Sequence, residues 1–349
     1  MAAGTMLGLR RYVRSGMLVS ILAKGKLGLS RGKIPLKMLA LSIVIPVYNS
    51  EKSLAELHLR LTSALVGLGE YEVILIDDGS QDGSWSAIQS LAQRDARICG
   101  LRMGRNYGQH PALLAGIRAA RARTVVTLDD DLQNPPEEIP KLLARLQEGF
   151  DVVYGTPQML RHDPARNLAS RVTKLGLQAI MGVETARKVS AFRAFHTVLR
   201  DSFANYQSPF VNLDVLFTWG TCRFGSVSVH HQARLVGRSG YNLRRLVVHA
   251  LNMVTGFSAI PLRAATLVGF TFTLFGFSVL AYVLVRYLIA GSTVPGFPFL
   301  ASLISVMGGA QLFALGIMGE YLARIHFRTM DRPPYFIGAT TRKKPDDHP

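Results

Sequence analysis

The sequence predicts an α/β fold with a mostly parallel sheet, followed by a helix lying on a membrane surface and two transmembrane helices. Three observations lead there. Short β-branched and apolar runs alternate with helical stretches of about 10–15 residues, the pattern of βαβ units. Several of those runs end in carboxylates, where open α/β sheets present their ligand-binding groups. Past residue 261 the composition turns apolar in two stretches long enough to cross a bilayer.

The elements follow in order. Residues 1–40 hold eight Lys/Arg and no acid, a basic arm. Its apolar piece Gly16–Ala23 is too short to span a membrane and lacks a clear cleavage site. Leu41–Val47 reads as a buried parallel strand. Ser50 or Asn49 then caps a helix with Leu54, Leu57, Leu61 and Leu65 on one face. Glu72–Ile76 is a second strand, ending in Asp77-Asp78-Gly79-Ser80, and a helix covers about Gly83–Arg94. A strand near Ile98–Met103, a helix near Ala112–Arg121 and a strand at Thr124–Leu128 come next. Pro140–Gln147 is helical, Asp151–Gly155 is a fifth strand, and Ser226–His231 alternates like a strand. His110 reads as a loop or packing histidine, and His230 and His231 as solvent-facing.

Ala264–Val285 is uncharged over 22 residues, and after Arg286 no charge occurs from Tyr287 to Gly319. Turn residues between Gly291 and Pro298 make this a hairpin over 263–320, with spans at about 264–286 and 297–319. Arg263 precedes it and Arg324, Arg328, Arg332, Arg342, Lys343 and Lys344 follow it, whereas the connection has only Arg286. Positive-inside bias places the large domain (41–235) and the basic tail (321–349) in the cytoplasm, at the inner membrane. Residues 236–262 mix Arg244, Arg245 and His249 with apolar side chains, which suits an interfacial helix.

Composition narrows the partners. Of 349 residues 48% are hydrophobic and only 18% charged, with a net charge of +17, so an anionic partner is expected. Without aromatic interleaving or a binding module, a nucleic acid is disfavoured against membrane lipids or a phosphorylated substrate. Cys99 and Cys222 are the only cysteines, which excludes a disulfide framework and suits a reducing compartment. The turn after the first strand, Pro46-Val47-Tyr48-Asn49-Ser50-Glu51, has no glycine, so a dinucleotide fingerprint is missing. A phosphate-binding Gly-x-x-x-x-Gly-Lys loop and a Gly-x-Ser-x-Gly elbow are missing too.

The chemistry gathers at Asp129-Asp130-Asp131-Leu132-Gln133-Asn134-Pro135-Pro136-Glu137. Asp129 and Asp131 point the same way on an extended chain. With the amide of Gln133 they offer hard oxygens to Mg²⁺ or Mn²⁺. Alone, such a run also reads as a solvated turn capping the next helix. Two more strand ends, at Pro46–Glu51 and Asp77–Ser80, share its rim.

Together, Ile45-Pro46-Val47-Tyr48-Asn49, Asp77–Ser84 and Asp129–Glu137 resemble family-2 glycosyltransferases of the GT-A (Rossmann-like) fold. Order and spacing, with the two spans, resemble the polyprenyl-phosphate branch over Leu41–Pro334. That branch includes bactoprenol glucosyltransferases, dolichol-phosphate mannose synthases and undecaprenyl-phosphate 4-deoxy-4-formamido-L-arabinose transferase. The resemblance implies an inverting enzyme, a hexosyl- or pentosyltransferase serving cell-envelope biogenesis or lipid A modification. It would move one sugar from a UDP- or GDP-sugar to polyprenyl (undecaprenyl) phosphate. It assigns Pro46, Tyr48, Glu51, Asp78 and Asp129 to the nucleotide, and Asp129, Asp131 and Gln133 to the metal. It assigns Arg193, in Ser190–Phe195, and Arg238, Tyr241 and Arg244 to the acceptor phosphate. Asp131, Asp129 and Arg193 would carry catalysis, and Asp130 would tolerate replacement. Ser50 and Val236–Gly240 depart from the family pattern. A processive polysaccharide synthase and an inactive membrane scaffold remain as alternatives, and a homo-oligomer is left open.

Overall fold

The computed structural model describes residues 39–157, 189–232, 260–290, 296–330 and 333–342. The basic arm and the interfacial segment expected over 236–262 lie outside the described residues, apart from the start of a helix at Ile260.

The core is an eight-stranded sheet with the order β7-β5-β6-β4-β1-β2-β3-β8. β1 (Leu41–Val47) lies at its centre, parallel to β2 (Tyr71–Asp77) and to β4 (Thr124–Thr127). β2 pairs in parallel with β3 (Ile98–Met103), and β5 (Val152–Pro157) with β7 (Phe224–Val229). β6 (Arg193–His196) is inserted antiparallel between β4 and β5. Side-chain alternation divides β1 between two layers. Ile43, Ile45 and Val47 face α1 (Glu51–Ala64), α2 (Ser84–Arg94) and α4 (Ile139–Gln147). Val44 faces α3 (Gln109–Ala119) and the short α5 (Leu213–Phe217) on the other side. Because β1, β2 and β4 run parallel, their C-terminal ends share one rim.

β6 was not foreseen as a strand. Its arginine looked like a functional motif but is core: Arg193 is 1% exposed and ion-paired with Asp214 of α5.

α6 (Ile260–Ala290) and α7 (Phe297–Thr329) form the expected hairpin, each longer than the apolar stretch that predicts it. Pro261–Ile289 and Val306–Phe327 are long and apolar enough to cross a membrane, and neither is buried in the protein. Gly276 of α6 faces Met307 of α7, whose methyl lies 3.8 Å from where a Cβ would stand.

The tail departs from expectation. Instead of a simple basic extension, the chain returns to the central sheet as β8 (Ile337–Thr340), antiparallel to β3 at the edge. Thr341 exchanges hydrogen bonds with Gly100, accepting at Oγ1 (2.8 Å) and donating its N–H to the carbonyl (2.9 Å). Arg342 donates to Glu72 (2.7 Å), a buried β2 carboxylate that also accepts from Ser42 and Arg121.

Candidate functional site

The turns after β1 and β2 are laced together. Asn49, in the left-handed region at φ 53°, accepts from the Gln81 N–H (2.8 Å) and donates its own N–H to Ser80 (3.0 Å). The Ser50 N–H donates to Ser84 (2.9 Å) and the Glu51 N–H to Asp82 (3.2 Å). Gly79 is required in this turn. It has φ +70°, and a Cβ there would stand 2.7 Å from the backbone of Arg105 and Asn106.

That close approach brings in the loop after β3. The N–H groups of Tyr107 and Gly108 donate to the two carboxylate oxygens of Asp78 (2.7 and 2.8 Å). Burial nonetheless holds the Asp78 carboxyl above its ordinary range, offset in part by those bonds. Gly108, at φ +97°, turns the chain into α3, and the Gln109 amide donates to Asp129 Oδ1 at 2.6 Å.

The three aspartates after β4 have separate surroundings. Asp129 meets Gln109. Asp130 accepts from the Tyr48 N–H (3.2 Å), while burial raises its pKa. Asp130, expected to tolerate replacement, ties the turn after β4 to the turn after β1. Asp131 accepts from the Gln133 N–H (3.1 Å) across Leu132, which is buried at φ 59°. A bulky residue in that conformation is strained, and such strain gathers at functional turns.

Pro46, Val47, Tyr48, Asp78, Asn106, Gly108, Gln109 and Asp129 to Asp131 line one cavity of about 270 Å³. Four carboxylates border it, and none of these lining residues is Lys, Arg or His. Among the described residues no group of three or more His, Cys, Asp or Glu is arranged to hold a metal by itself. Two carboxylates on one cavity fit Mg²⁺ or Mn²⁺ in the mode where the ligand's phosphates complete the shell.

The other expected residues fall elsewhere. Glu51 does not line the cavity; it accepts from the Gly83 N–H (3.2 Å). Gln133 also lies off the lining, its carbonyl accepting from the Gln232 N–H (2.9 Å). Arg193, expected at the acceptor phosphate, is buried instead. Asp214, Thr127 (3.1 Å) and the Phe217 ring (5.9 Å) enclose its guanidinium. Arg238, Tyr241 and Arg244 lie outside the described residues. His110 is a packing histidine, accepting from the Leu213 N–H (3.3 Å), and His230 and His231 are exposed. The sequence reading missed Asn106, Gly108 and Gln109. The signal was present: they follow β3, another parallel strand ending at the same rim.

Residues 42–231 match the model of glycosyl transferase family 2. The chain is similar to the undecaprenyl-phosphate 4-deoxy-4-formamido-L-arabinose transferases of Salmonella paratyphi B and Salmonella newport. Each is 36% identical over 301 residues, 85% of this chain and 92% of the relative. It also resembles glucosyl-3-phosphoglycerate synthase from Mycobacterium tuberculosis, solved with Mn²⁺, UDP and glucosyl-3-phosphoglycerate. That likeness has a TM-score of 0.46 and 19% identity, over 62% of this chain and 78% of that one.

Proposed function

The chain belongs to glycosyl transferase family 2 and is a glycosyltransferase; from that premise we propose that it transfers one sugar from a UDP- or GDP-sugar to undecaprenyl phosphate. The acceptor class follows from relatives at 36% identity whose names specify undecaprenyl phosphate, and from two helices suited to hold the enzyme on a membrane.

One observation carries the site assignment: among the described residues the cavity is lined by four carboxylates and no cationic side chain. A nucleotide sugar is itself anionic, so it enters such a cavity only with a cation. Asp129 and Asp131 would hold that Mg²⁺ or Mn²⁺, which neutralises charge on the departing diphosphate. Pro46, Tyr48 and Asp78 border the nucleotide side. Asp78 keeps acceptor capacity, since each carboxylate oxygen has a second lone pair. The acceptor phosphate, with a second pKa of about 6, is largely ionised at neutral pH. One of its oxygens attacks the anomeric carbon and inverts it. The bond from that carbon to the diphosphate oxygen breaks, and the nucleoside diphosphate leaves with the electron pair. No strong general base is needed; the task is holding two anions together.

The return of β8 to the catalytic sheet supports the orientation. Two crossings between β7 and β8 leave both flanks on one side, and the Arg/Lys bias makes that side the cytoplasm. Cell-envelope glycan or lipid A modification is the corresponding process.

Purified protein with undecaprenyl phosphate, Mn²⁺ and a panel of nucleotide sugars should yield a lipid carrying one sugar. Asp131→Asn should lower turnover by about 100-fold, within the range for lost transition-state charge stabilisation. Undiminished turnover in that variant overturns the metal assignment, and products with several sugars favour a processive synthase.

A further inference from the structure

The loop Asn106-Tyr107-Gly108-Gln109 has no part in the function read from the sequence, yet it touches both halves of the cavity. Its backbone N–H groups hold Asp78, and one residue later its side chain holds Asp129. The two carboxylates sit at the ends of β2 and β4, strands separated by β1. Their separation is therefore spanned by this loop as well as by the sheet. Gly108 makes the geometry available: its positive φ turns the chain so that Gln109 becomes the first residue of α3, facing Asp129.

The side chain is chemically suited to orient without neutralising. At 2.6 Å the Gln109 amide makes a charge-assisted hydrogen bond to Asp129 Oδ1. A lysine or arginine in its place would bring a charge that competes with a cation for the carboxylate. A carboxylate there would repel Asp129. An amide N–H instead fixes the plane of the carboxyl group and leaves its charge in place. Outer partners of metal-binding carboxylates act in this way, and their loss costs about 10–100-fold in metal affinity or activity. Gln109 itself borders the cavity, and its exposed position makes it a poor candidate for a purely packing role.

We propose that Gln109 is a positioning residue of the transferase: it sets the orientation in which Asp129 meets the cation that accompanies the nucleoside diphosphate. This inference rests on the metal reading above. The test measures binding rather than turnover. Full-length protein in detergent is titrated with Mn²⁺ in the presence of UDP, and separately of GDP, with free Mn²⁺ followed by electron paramagnetic resonance. Gln109→Ala and the near-isosteric Gln109→Met both remove the donor, and only the second preserves the volume. Both should weaken Mn²⁺ binding by about 10-fold or more. The thermal midpoint of the ligand-free protein should stay at the wild-type value. If Gln109→Ala fails to fold, Gln109→Met decides. Variants that bind Mn²⁺ as the wild type does overturn the inference alone. A wild-type protein that takes up no Mn²⁺ with either nucleotide overturns the metal reading and this inference with it.

Discussion

Replacing Arg193 with methionine separates a structural role from a catalytic one. Arg193 on β6 is 1% exposed and ion-pairs with Asp214, while its Nε donates to Thr127 Oγ1 at 3.1 Å. The Tyr154 hydroxyl also donates to Asp214, at 3.0 Å. Methionine fills much of the same volume but leaves the Asp214 carboxylate buried with Tyr154 as its remaining side-chain donor in this cluster. Breaking a buried pair by removing one partner costs about 3–5 kcal/mol. At about 2–4 °C per kcal/mol for a domain of this size, the thermal midpoint should fall by on the order of 6–20 °C. Arg193→Met with Asp214→Leu should recover much of that loss, because no orphaned charge remains. The assay is thermal unfolding of the detergent-solubilised protein followed by tryptophan fluorescence. It is paired with the KM for undecaprenyl phosphate measured well below the midpoint. A structural arginine moves the midpoint and leaves that KM nearly unchanged. A wild-type midpoint with a strongly raised KM for the lipid would refute this reasoning and restore Arg193 to the acceptor site.

Asp130→Ala should raise the Kd for nucleotide about 10-fold, because the Tyr48 N–H loses its acceptor and the turn bearing Tyr48 loosens; isothermal titration with UDP and Mn²⁺ checks it. Acid stability should depend on Asp95, whose carboxyl is held well below the usual range, first by the Arg97 guanidinium and also by His58. Since the folded-state pKa is depressed, this contribution is complete above the unfolded value of about 3.9 and is lost as pH falls below it. Thermal midpoints of wild type and Asp95→Asn should therefore differ by a constant amount from pH 7 to about pH 5, and the difference should shrink steadily as the pH is lowered from about 4 to 2.5. Arg342→Ala removes one of two arginines from the buried Glu72 and should cost about 1–3 kcal/mol. Its signature is faster amide hydrogen exchange in β3 and β8, with β1 and β4 unaffected.

The sheet's first half was legible because each of its strands is a short apolar run closed by turn residues. β1 and β3 have the expected bounds, and β2 gains one residue at each end. α3 starts three residues before the expected Ala112, since Pro111 is tolerated in a first turn and apolar periodicity begins only after it. β6 was hidden because a buried arginine satisfied by a partner 21 positions away has no local signature. β8 was hidden for a related reason. Ile-Gly-Ala-Thr is too short and too plain to read as a strand until β3, more than 200 residues earlier, supplies its edge. At the site, acids at the ends of parallel strands were legible through the rule that such ends converge. Gln109 was not, because its role depends on a glycine turn and on a hydrogen bond across the cavity.

The pairing of Arg193 with Asp214 in the core bears on where positive charge for the acceptor would come from. The described lining of the cavity is acidic, so in the proposed mechanism the lipid phosphate is held by cations supplied beyond it. Within the proposed mechanism that task falls to Arg238 and Arg244. The chain leading to them leaves the sheet after β7, where the Gln232 N–H donates to the carbonyl of Gln133 at 2.9 Å. Arg60 of α1 secures this exit: it pairs with Glu137 through two hydrogen bonds (2.9 and 2.8 Å) and donates to the Gln232 side chain (3.1 Å). The turn bearing Asp131 and Gln133 is thus fixed to the point from which the acceptor segment departs. Gln133 joins the two sides through its backbone, whatever its side chain does for the metal. Under the proposed function, a shift of the turn bearing Asp131 would be felt at Gln232, where the chain leaves toward Arg238 and Arg244, and Arg60 with Glu137 ties those two points together.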